Sequence, residues 1–168
     1  MSRNLAIIWA IAAGLLGFVT TLWTLFGPLF EYVTFSPLEA SREGSSEVIE
    51  RGTRSLVEVG LSLPAAILIG LLSGASLIGL IGAWLLQQDR APDAASATAV
   101  ASGIVWGGSL MSLWSIGLLY LPSAALLSFA SLAASRAAHR KLTSSLLLIL
   151  IIVVGTIALL SLMIVLGR

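Results

Sequence analysis

The sequence contains no cysteine and only one histidine, His139. The absence of cysteine excludes disulfide bonds, thiolate-ligated zinc and iron–sulfur clusters. Charged residues make up only 10% of the 168 residues, compared with ~25% in a typical soluble domain. The net charge of +1 gives no indication of a nucleic-acid partner, and we predict no cofactor. Hydrophobic residues account for 58% of the chain, which is more apolar surface than a soluble fold of this size can bury.

The few ionisable residues are segregated along the chain. No Asp, Glu, Lys, Arg or His occurs in residues 4–30, 59–88, 94–135 or 142–167. A hydrocarbon core of ~30 Å is crossed by a helix of ~20 residues, so uncharged runs of this length indicate membrane-spanning helices. The sequence therefore predicts an integral membrane protein with an all-α, polytopic transmembrane helical bundle. The first run is interpreted as an uncleaved span.

The number of spans depends on the uncharged segment of 42 residues from Ala94 to Ser135. As a single helix it would be ~63 Å long, which tilting cannot accommodate. Two shorter helices fit better, with a turn near "IGLLYLP", where Gly117 permits turn conformations and Pro122 suits the first turn of a new helix. Trp114 and Tyr120 are then expected in the interfacial aromatic belt. We predict about five spans, with four spans and a long Pro-kinked third helix as the alternative.

The predicted arrangement is a single membrane domain over residues 1–168. Its spans are about 5–26, 61–86, 97–115, 121–135 and 143–166, and an external loop covers residues 27–60. The loop has six Glu and three Arg, a net charge of −3. Alternating β-branched segments at 32–36 and 54–59 predict a short β-hairpin, with a short helix through 47–50 capped by Ser45 or Ser46.

The distribution of basic residues favours a cytoplasmic N-terminus. With five spans, the short inner segments contain Arg3, Arg90, Arg136, Arg140 and Lys141, as the positive-inside tendency requires. An inverted four-span arrangement also satisfies the tendency, so charge and helix length together favour five. The expected location is a bacterial plasma (inner) membrane, where the group Arg136, His139, Arg140 and Lys141 is expected to attract anionic lipid headgroups.

Two short segments, "SLVEVG" (Ser55 to Gly60) and "SIGLLYLPSAALL" (Ser115 to Leu127), carry a resemblance. In these two segments the chain resembles small bacterial multi-span membrane proteins, in which a polar loop precedes the second span and a Pro-containing turn precedes a short span. The resemblance covers about half of the chain, and the hydrophobic segment after Lys141 departs from the pattern. It implies a topology and no activity.

Small residues at four-residue spacing are the most repeated pattern and predict helix-packing faces. Packing within the chain and contact with a membrane-protein partner or a second copy are both consistent with this pattern. The main examples are Ala66, Gly70 and Gly74, and Ala99, Gly103 and Gly107; similar spacings occur at Ala6, Ala10 and Gly14, and at Ala130, Ala134 and Ala138.

The spans contain no ionisable residue at their centres, which argues against a proton-coupled transporter. Glu31 and Glu58 flank the external loop, as either a cation-binding pair or, with more weight, solvated residues. No serine has a candidate base, so we do not expect an enzyme. We expect a non-catalytic accessory, assembly or interaction subunit in the lipid bilayer. The alternative is a small transporter or channel with an uncharged pathway.

Overall fold

A computed structural model describes residues 3–28, 30–35, 48–60, 62–112 and 116–166. In this part of the chain, five helices are long and apolar enough to cross a membrane. The molecule is therefore an all-α, multi-pass membrane protein, as predicted. Its elements in chain order are α1 Arg3–Phe26, β1 Phe30–Phe35, β2 Val48–Arg54, α2 Leu56–Val59, α3 Leu63–Gln87, α4 Ala91–Met111, α5 Gly117–Ala137 and α6 Leu142–Leu166.

The long uncharged segment forms two helices, α4 and α5, which confirms five spans over four. The turn between them precedes the predicted position: α5 begins at Gly117, so Pro122 lies inside the helix and Leu121 is helical. The Gly117 N–H donates to the Ser112 carbonyl at 2.8 Å. A Cβ on Gly117 would lie 2.2 Å from the Ser109 carbonyl oxygen. Glycine is therefore required here by the close approach of the last turn of α4.

The chain divides into two compact units, the first made of Met1–Thr21 with Ser62–Arg168 and the second of Leu22–Leu61. In the first unit, α4 packs against α3, α5 and α6. The first helix packs on α5, where the Ser123 hydroxyl donates to the Ala13 carbonyl of α1 at 2.9 Å. It also packs on α3, where a Cβ on Gly79 would lie 2.8 Å from the Ala10 carbonyl oxygen. The core contains few large side chains, among them Leu72, Leu127 and Tyr120. Close helix packing in this unit depends mainly on Ala, Ser and Gly.

The last helix, α6, is the least buried of the five spans. In its apolar stretch 6% of the residues are buried, compared with 61% in that of α4. Its buried residues are only Ser145, Ile149 and Leu160. Two apolar grooves of about 150 and 360 Å³ are lined by residues of α3, α4 and α6. Most of the apolar surface of α6 therefore faces away from the bundle, and one face of the helix packs on α4.

The second unit contains an antiparallel β-hairpin, as predicted, but its second strand lies elsewhere. Strand β1 pairs with β2 from Phe30 opposite Arg54 to Phe35 opposite Val48, with a register irregularity after Thr34. The predicted helix through 47–50 is wrong for residues 48–50, which form the first part of β2. Val48 and Ile49 are β-branched residue types, which favour an extended strand once a partner strand is available. Residues 36–47, including Ser45 and Ser46, lie outside the described residues.

The predicted strand at 54–59 is also wrong, because a helical turn, α2, begins directly after β2. Ser55 is its N-cap: the Glu58 N–H donates to the Ser55 hydroxyl at 3.3 Å, and the Ser55 N–H donates to the Glu58 carboxylate at 2.7 Å. This reciprocal capping box satisfies two backbone donors that a helix start otherwise leaves unpaired. The alternation of Leu56, Val57 and Val59 resembles a strand, but the Ser-x-x-Glu spacing decides for a helix.

Candidate interaction surfaces

The small-residue face of α4 is the closest helix contact of α6. A Cβ on Gly103 would lie 2.5 Å from the Ile152 Cβ, and a Cβ on Gly107 would lie 2.7 Å from the Thr156 Cβ. The carbonyl oxygens of Ile149 and Val153 on α6 would lie 2.9 and 3.0 Å from the same two Cβ atoms. Ala99, one turn earlier, is fully buried. The four-residue spacing thus allows the backbones of α4 and α6 to approach more closely than any larger residue would permit.

The corresponding residues of α3 face away from the bundle. Ala66, Gly70 and Gly74 are exposed, and a Cβ added at either glycine would meet no atom within 4 Å. The exposed side chains of Leu77 and Ile81 continue the same face. These five residues, Ala66, Gly70, Gly74, Leu77 and Ile81, are called the outer face of α3 below. It has the same small-residue spacing as α4 but no helix of this chain covers it among the described residues.

The face of α3 that packs inside the bundle is a different one. A Cβ on Gly79 would lie 2.8 Å from the Ala10 carbonyl oxygen of α1, and a Cβ on Gly17 of α1 would lie 2.2 Å from the Ser76 Cβ. Ser76 lies on this face and is fully buried. The spacing of glycines alone does not distinguish the two faces. The predicted alanines and glycines of the other stripes are largely inside, with Ala6, Ala10, Gly14, Ala130 and Ala134 buried.

Hydroxyl groups on the inner face of α5 connect it to α1 and α3. The Tyr120 hydroxyl lies 2.9 Å from the Thr21 hydroxyl of α1, and the Ser123 hydroxyl lies 3.3 Å from the Ser76 hydroxyl of α3. Tyr120 is fully buried, so the prediction that it lies in an interfacial aromatic belt is wrong. Trp114, the other residue of that prediction, lies outside the described residues.

A second group of hydroxyls connects α5 to α4. The Ser128 hydroxyl lies 2.7 Å from that of Ser102 and accepts a hydrogen bond from the Trp106 indole at 3.1 Å. Further along α5, the Ser131 hydroxyl donates to the Ala95 carbonyl at 3.2 Å. These contacts hold α5 in one rotation about its axis, because turning it would leave hydroxyls unpaired in an apolar interior. Sequence reasoning missed this network.

One end of the bundle carries its ionisable groups. The guanidinium of Arg3, at the start of α1, pairs with the Asp89 carboxylate in the turn between α3 and α4. Arg90 pairs with Asp93 at 2.7 Å in the same region. This end, called the charged end below, also contains the predicted headgroup residues. They are Arg136, His139, Arg140 and Lys141, all exposed.

The turn between α5 and α6 has a defined backbone. His139 has a φ of 52°, and its N–H donates to the Arg136 carbonyl at 3.2 Å. The Arg140 N–H donates to the Ser135 carbonyl at 2.9 Å. This pair of bonds around a left-handed residue is a Schellman motif, which ends a helix and reverses the chain. The Arg140 guanidinium then reaches α4, where it donates to the Ser96 hydroxyl at 3.0 Å.

The predicted loop residues Glu31 and Glu58 lie in different elements, Glu31 in β1 and Glu58 in α2. The hydrogen bond from the Ser55 N–H, followed by that from its hydroxyl, lowers the pKa of the Glu58 carboxyl below its usual value. Glu58 is thus engaged in the capping box of α2. Glu31 pairs through its backbone with Thr53 in the hairpin. Among the described residues, no three His, Cys, Asp or Glu side chains cluster in a way that would hold a metal ion.

Comparison of the chain with protein-family models, with curated proteins and with solved structures gives no match. The candidate surfaces therefore stand on the geometry of this chain alone. They are the outer face of α3 and the charged end of the bundle.

Proposed function

We propose that this protein is a non-catalytic interaction subunit of a bacterial plasma membrane, which binds a transmembrane helix of a partner membrane protein on the outer face of α3. The observation that supports this proposal is the contrast between two similar helix faces. Gly103 and Gly107 receive α6 at backbone-contact distance, whereas the positions of Gly70 and Gly74 are open. In lipid, helices associate through close packing of small residues, since apolar surface alone gives no preference for protein over lipid.

The orientation in this proposal is a cytoplasmic N-terminus and an external hairpin segment. Its support is the charge of the charged end, where five basic residues outnumber two acidic ones: Arg3, Arg90, Arg136, Arg140 and Lys141 against Asp89 and Asp93. Short cytoplasmic segments carry an excess of Lys and Arg. The segment 27–60, which the proposal assigns to the outside, has a net charge of −3 from six Glu and three Arg.

The proposal is tested by site-specific photo-crosslinking in intact membranes. A photoreactive residue at position 70 is expected to give one crosslinked product, which mass spectrometry identifies as a single membrane protein in fixed stoichiometry. The matched control is position 155 on α6. Gly155 is also exposed, and a Cβ there also meets no atom within 4 Å. A crosslinked product of equal yield from both positions would contradict a specific face on α3.

A second measurement uses Gly70→Leu and Gly74→Leu, with Gly155→Leu as the control. Because a Cβ at each of the three positions meets no atom within 4 Å, we expect the substitutions to leave the fold intact and not to lower its thermal stability. The α3 variants are expected to abolish recovery of the crosslinked partner in mild detergent, and Gly155→Leu to preserve it. If the crosslinked product is the chain itself, the partner is a second copy.

The rival function is a small transporter or channel with an uncharged pathway. It is separated from the proposal by solute flux into vesicles that contain the purified protein alone. Stoichiometric flux by the isolated protein, unaffected by Gly70→Leu and Gly74→Leu, would overturn the interaction subunit. The interaction proposal expects no flux above that of protein-free vesicles.

A further inference from the structure

We infer that the turn between α5 and α6 is a binding site for the phosphate of an anionic phospholipid headgroup, formed by Arg140 and Lys141. The first step is the charge balance of the charged end. Both carboxylates described there are engaged, Asp89 by Arg3 and Asp93 by Arg90. Arg140 and Lys141 are adjacent in the chain, and neither pairs with these carboxylates. Among the described residues, positive charge without a carboxylate counterpart therefore lies at this turn.

The second step is the geometry of the two cations. In the described part of the chain, neither Arg140 nor Lys141 forms a salt bridge, and both are exposed. One terminal nitrogen of Arg140 donates to Ser96, which holds the side chain in place. A guanidinium has five N–H donors in a planar fork, so the others are available to oxygen atoms of a phosphate. The Schellman motif centred on His139 fixes the backbone from which both side chains extend.

The third step is the depth of the turn, which favours lipid over a soluble phosphate compound. The uncharged part of α5 ends at Ser135, and the uncharged part of α6 begins at Leu142. The turn therefore lies within about one helical turn of the apolar segments on both sides, at the level where headgroups lie when a helix spans ~30 Å of hydrocarbon. A phosphate fixed to a lipid reaches this level without the loss of translational freedom that a free phosphate compound incurs.

The test uses the full chain and two double variants with the same change in net charge. Arg140→Gln with Lys141→Gln removes the proposed site, and Arg3→Gln with Arg90→Gln removes two paired cations at the same end. Each protein is reconstituted in vesicles of phosphatidylcholine with a minor fraction of phosphatidylglycerol, then extracted gently, and the retained lipid is measured by native mass spectrometry. Basic residues near an anionic surface contribute ~1 kcal/mol each.

We expect the unmodified protein to retain phosphatidylglycerol over phosphatidylcholine. The Arg140/Lys141 variant is expected to lose this preference by about fivefold per cation removed, and the Arg3/Arg90 variant to keep most of it. Equal loss in both variants, or no preference in the unmodified protein, would overturn the site. Displacement of phosphatidylglycerol by an equimolar amount of inorganic phosphate would overturn the lipid as the ligand and assign the site to free phosphate.

Folding is controlled separately. Arg140→Lys retains the charge and is expected to keep the lipid preference in part, because an ammonium donates to phosphate without the planar fork. Loss of the preference in this variant, with unchanged thermal stability, would identify the guanidinium as the determinant. If Arg140→Lys and the double variant both unfold at the same lowered temperature, the turn has a structural role and the site is rejected. The result does not depend on the outer face of α3.

Discussion

The hydroxyl of Tyr120 on α5 forms a hydrogen bond with the hydroxyl of Thr21 on α1, across 99 positions of sequence, at an oxygen–oxygen distance of 2.9 Å. The Thr21 hydroxyl also donates to the Gly17 carbonyl of its own helix at 2.8 Å. Tyr120 is also the largest fully buried side chain in the described residues. This contact joins the first and fourth spans in the interior of the bundle.

The contact predicts a measurable coupling energy. Tyr120→Phe keeps the ring and removes the hydroxyl, so the free energy of unfolding is expected to fall by about 0.5–1.5 kcal/mol, the usual net value of a hydrogen bond. In a Thr21→Val background the same substitution should cost less. A double-mutant cycle, with reversible unfolding in mixed detergent micelles as the measurement, checks this. Strict additivity of the two substitutions would show that the hydroxyls do not interact.

The glycines of α4 and α3 are expected to respond oppositely to alanine. Gly103→Ala and Gly107→Ala each place a Cβ within 2.7 Å of a branched Cβ on α6, and forced repacking of this kind costs about 1–3 kcal/mol. Gly70→Ala meets no atom within 4 Å and gains up to about 1 kcal/mol of helix propensity. Thermal unfolding of the purified proteins provides the comparison. A similar effect at all three positions would contradict the close α4–α6 contact.

The capping box of α2 is expected to depend on pH. The pKa of Glu58 is lowered by its hydrogen bonds to Ser55, so the stabilisation is complete above the pKa of a glutamate in the unfolded chain, about 4.3. It is lost as the pH falls through the lower pKa of the folded state. The Ser55 amide should therefore lose protection against hydrogen exchange at acid pH, when its exchange rate is compared with the intrinsic rate at the same pH.

The matched control for that experiment is Glu58→Gln, since glutamine also accepts at this position of a capping box but does not titrate. Protection of the Ser55 amide in this variant is expected to be weaker and independent of pH over the same range. An identical acid loss of protection in both proteins would assign the effect to another group.

The topology is tested by fusions after Lys141 and after Arg168. With five spans and a cytoplasmic N-terminus, a fluorescent protein after residue 141 is expected to fluoresce, and alkaline phosphatase after residue 168 is expected to be active. Each reporter at the other position provides the control, with the opposite result. If both positions report the same compartment, the last helix does not cross the membrane. If both results are reversed, the N-terminus is outside.

Much of the membrane organisation follows directly from the sequence. Uncharged runs bounded by charged residues are long enough for five helices, and the length of the run from Ala94 to Ser135 favours two helices over one long Pro-kinked helix. The reason is physical: the hydrocarbon thickness sets the length of a span, and every buried backbone group must be paired within it. The positions of the predicted spans differ from the structure by one or two residues at most ends. The differences are larger where α4 begins at Ala91 and ends at Met111 and where α5 begins at Gly117.

The local structure of the hairpin segment was only partly predictable. Period-two alternation at 54–59 indicated a strand, but two hydrogen bonds between Ser55 and Glu58 favour a helical turn over so short a segment. Strand β2 is Val48–Arg54, directly before the predicted segment 54–59, because these residues find a partner in β1. A strand depends on such a partner for its backbone hydrogen bonds, so its limits are set by pairing and not by its own composition.

The sequence by itself determined the membrane as the medium of this protein and the small-residue spacing on α3 and α4, and it favoured five spans over four. Only the tertiary structure decided which of these faces are used: Gly103 and Gly107 lie against α6, Gly79 lies against α1, and Gly70 and Gly74 face outward. Glycine spacing is identical on a covered and an uncovered face, since it records only that close approach is allowed. The choice depends on hydroxyl pairs such as Tyr120 with Thr21, which fix how each helix is rotated and bring together residues far apart in the chain.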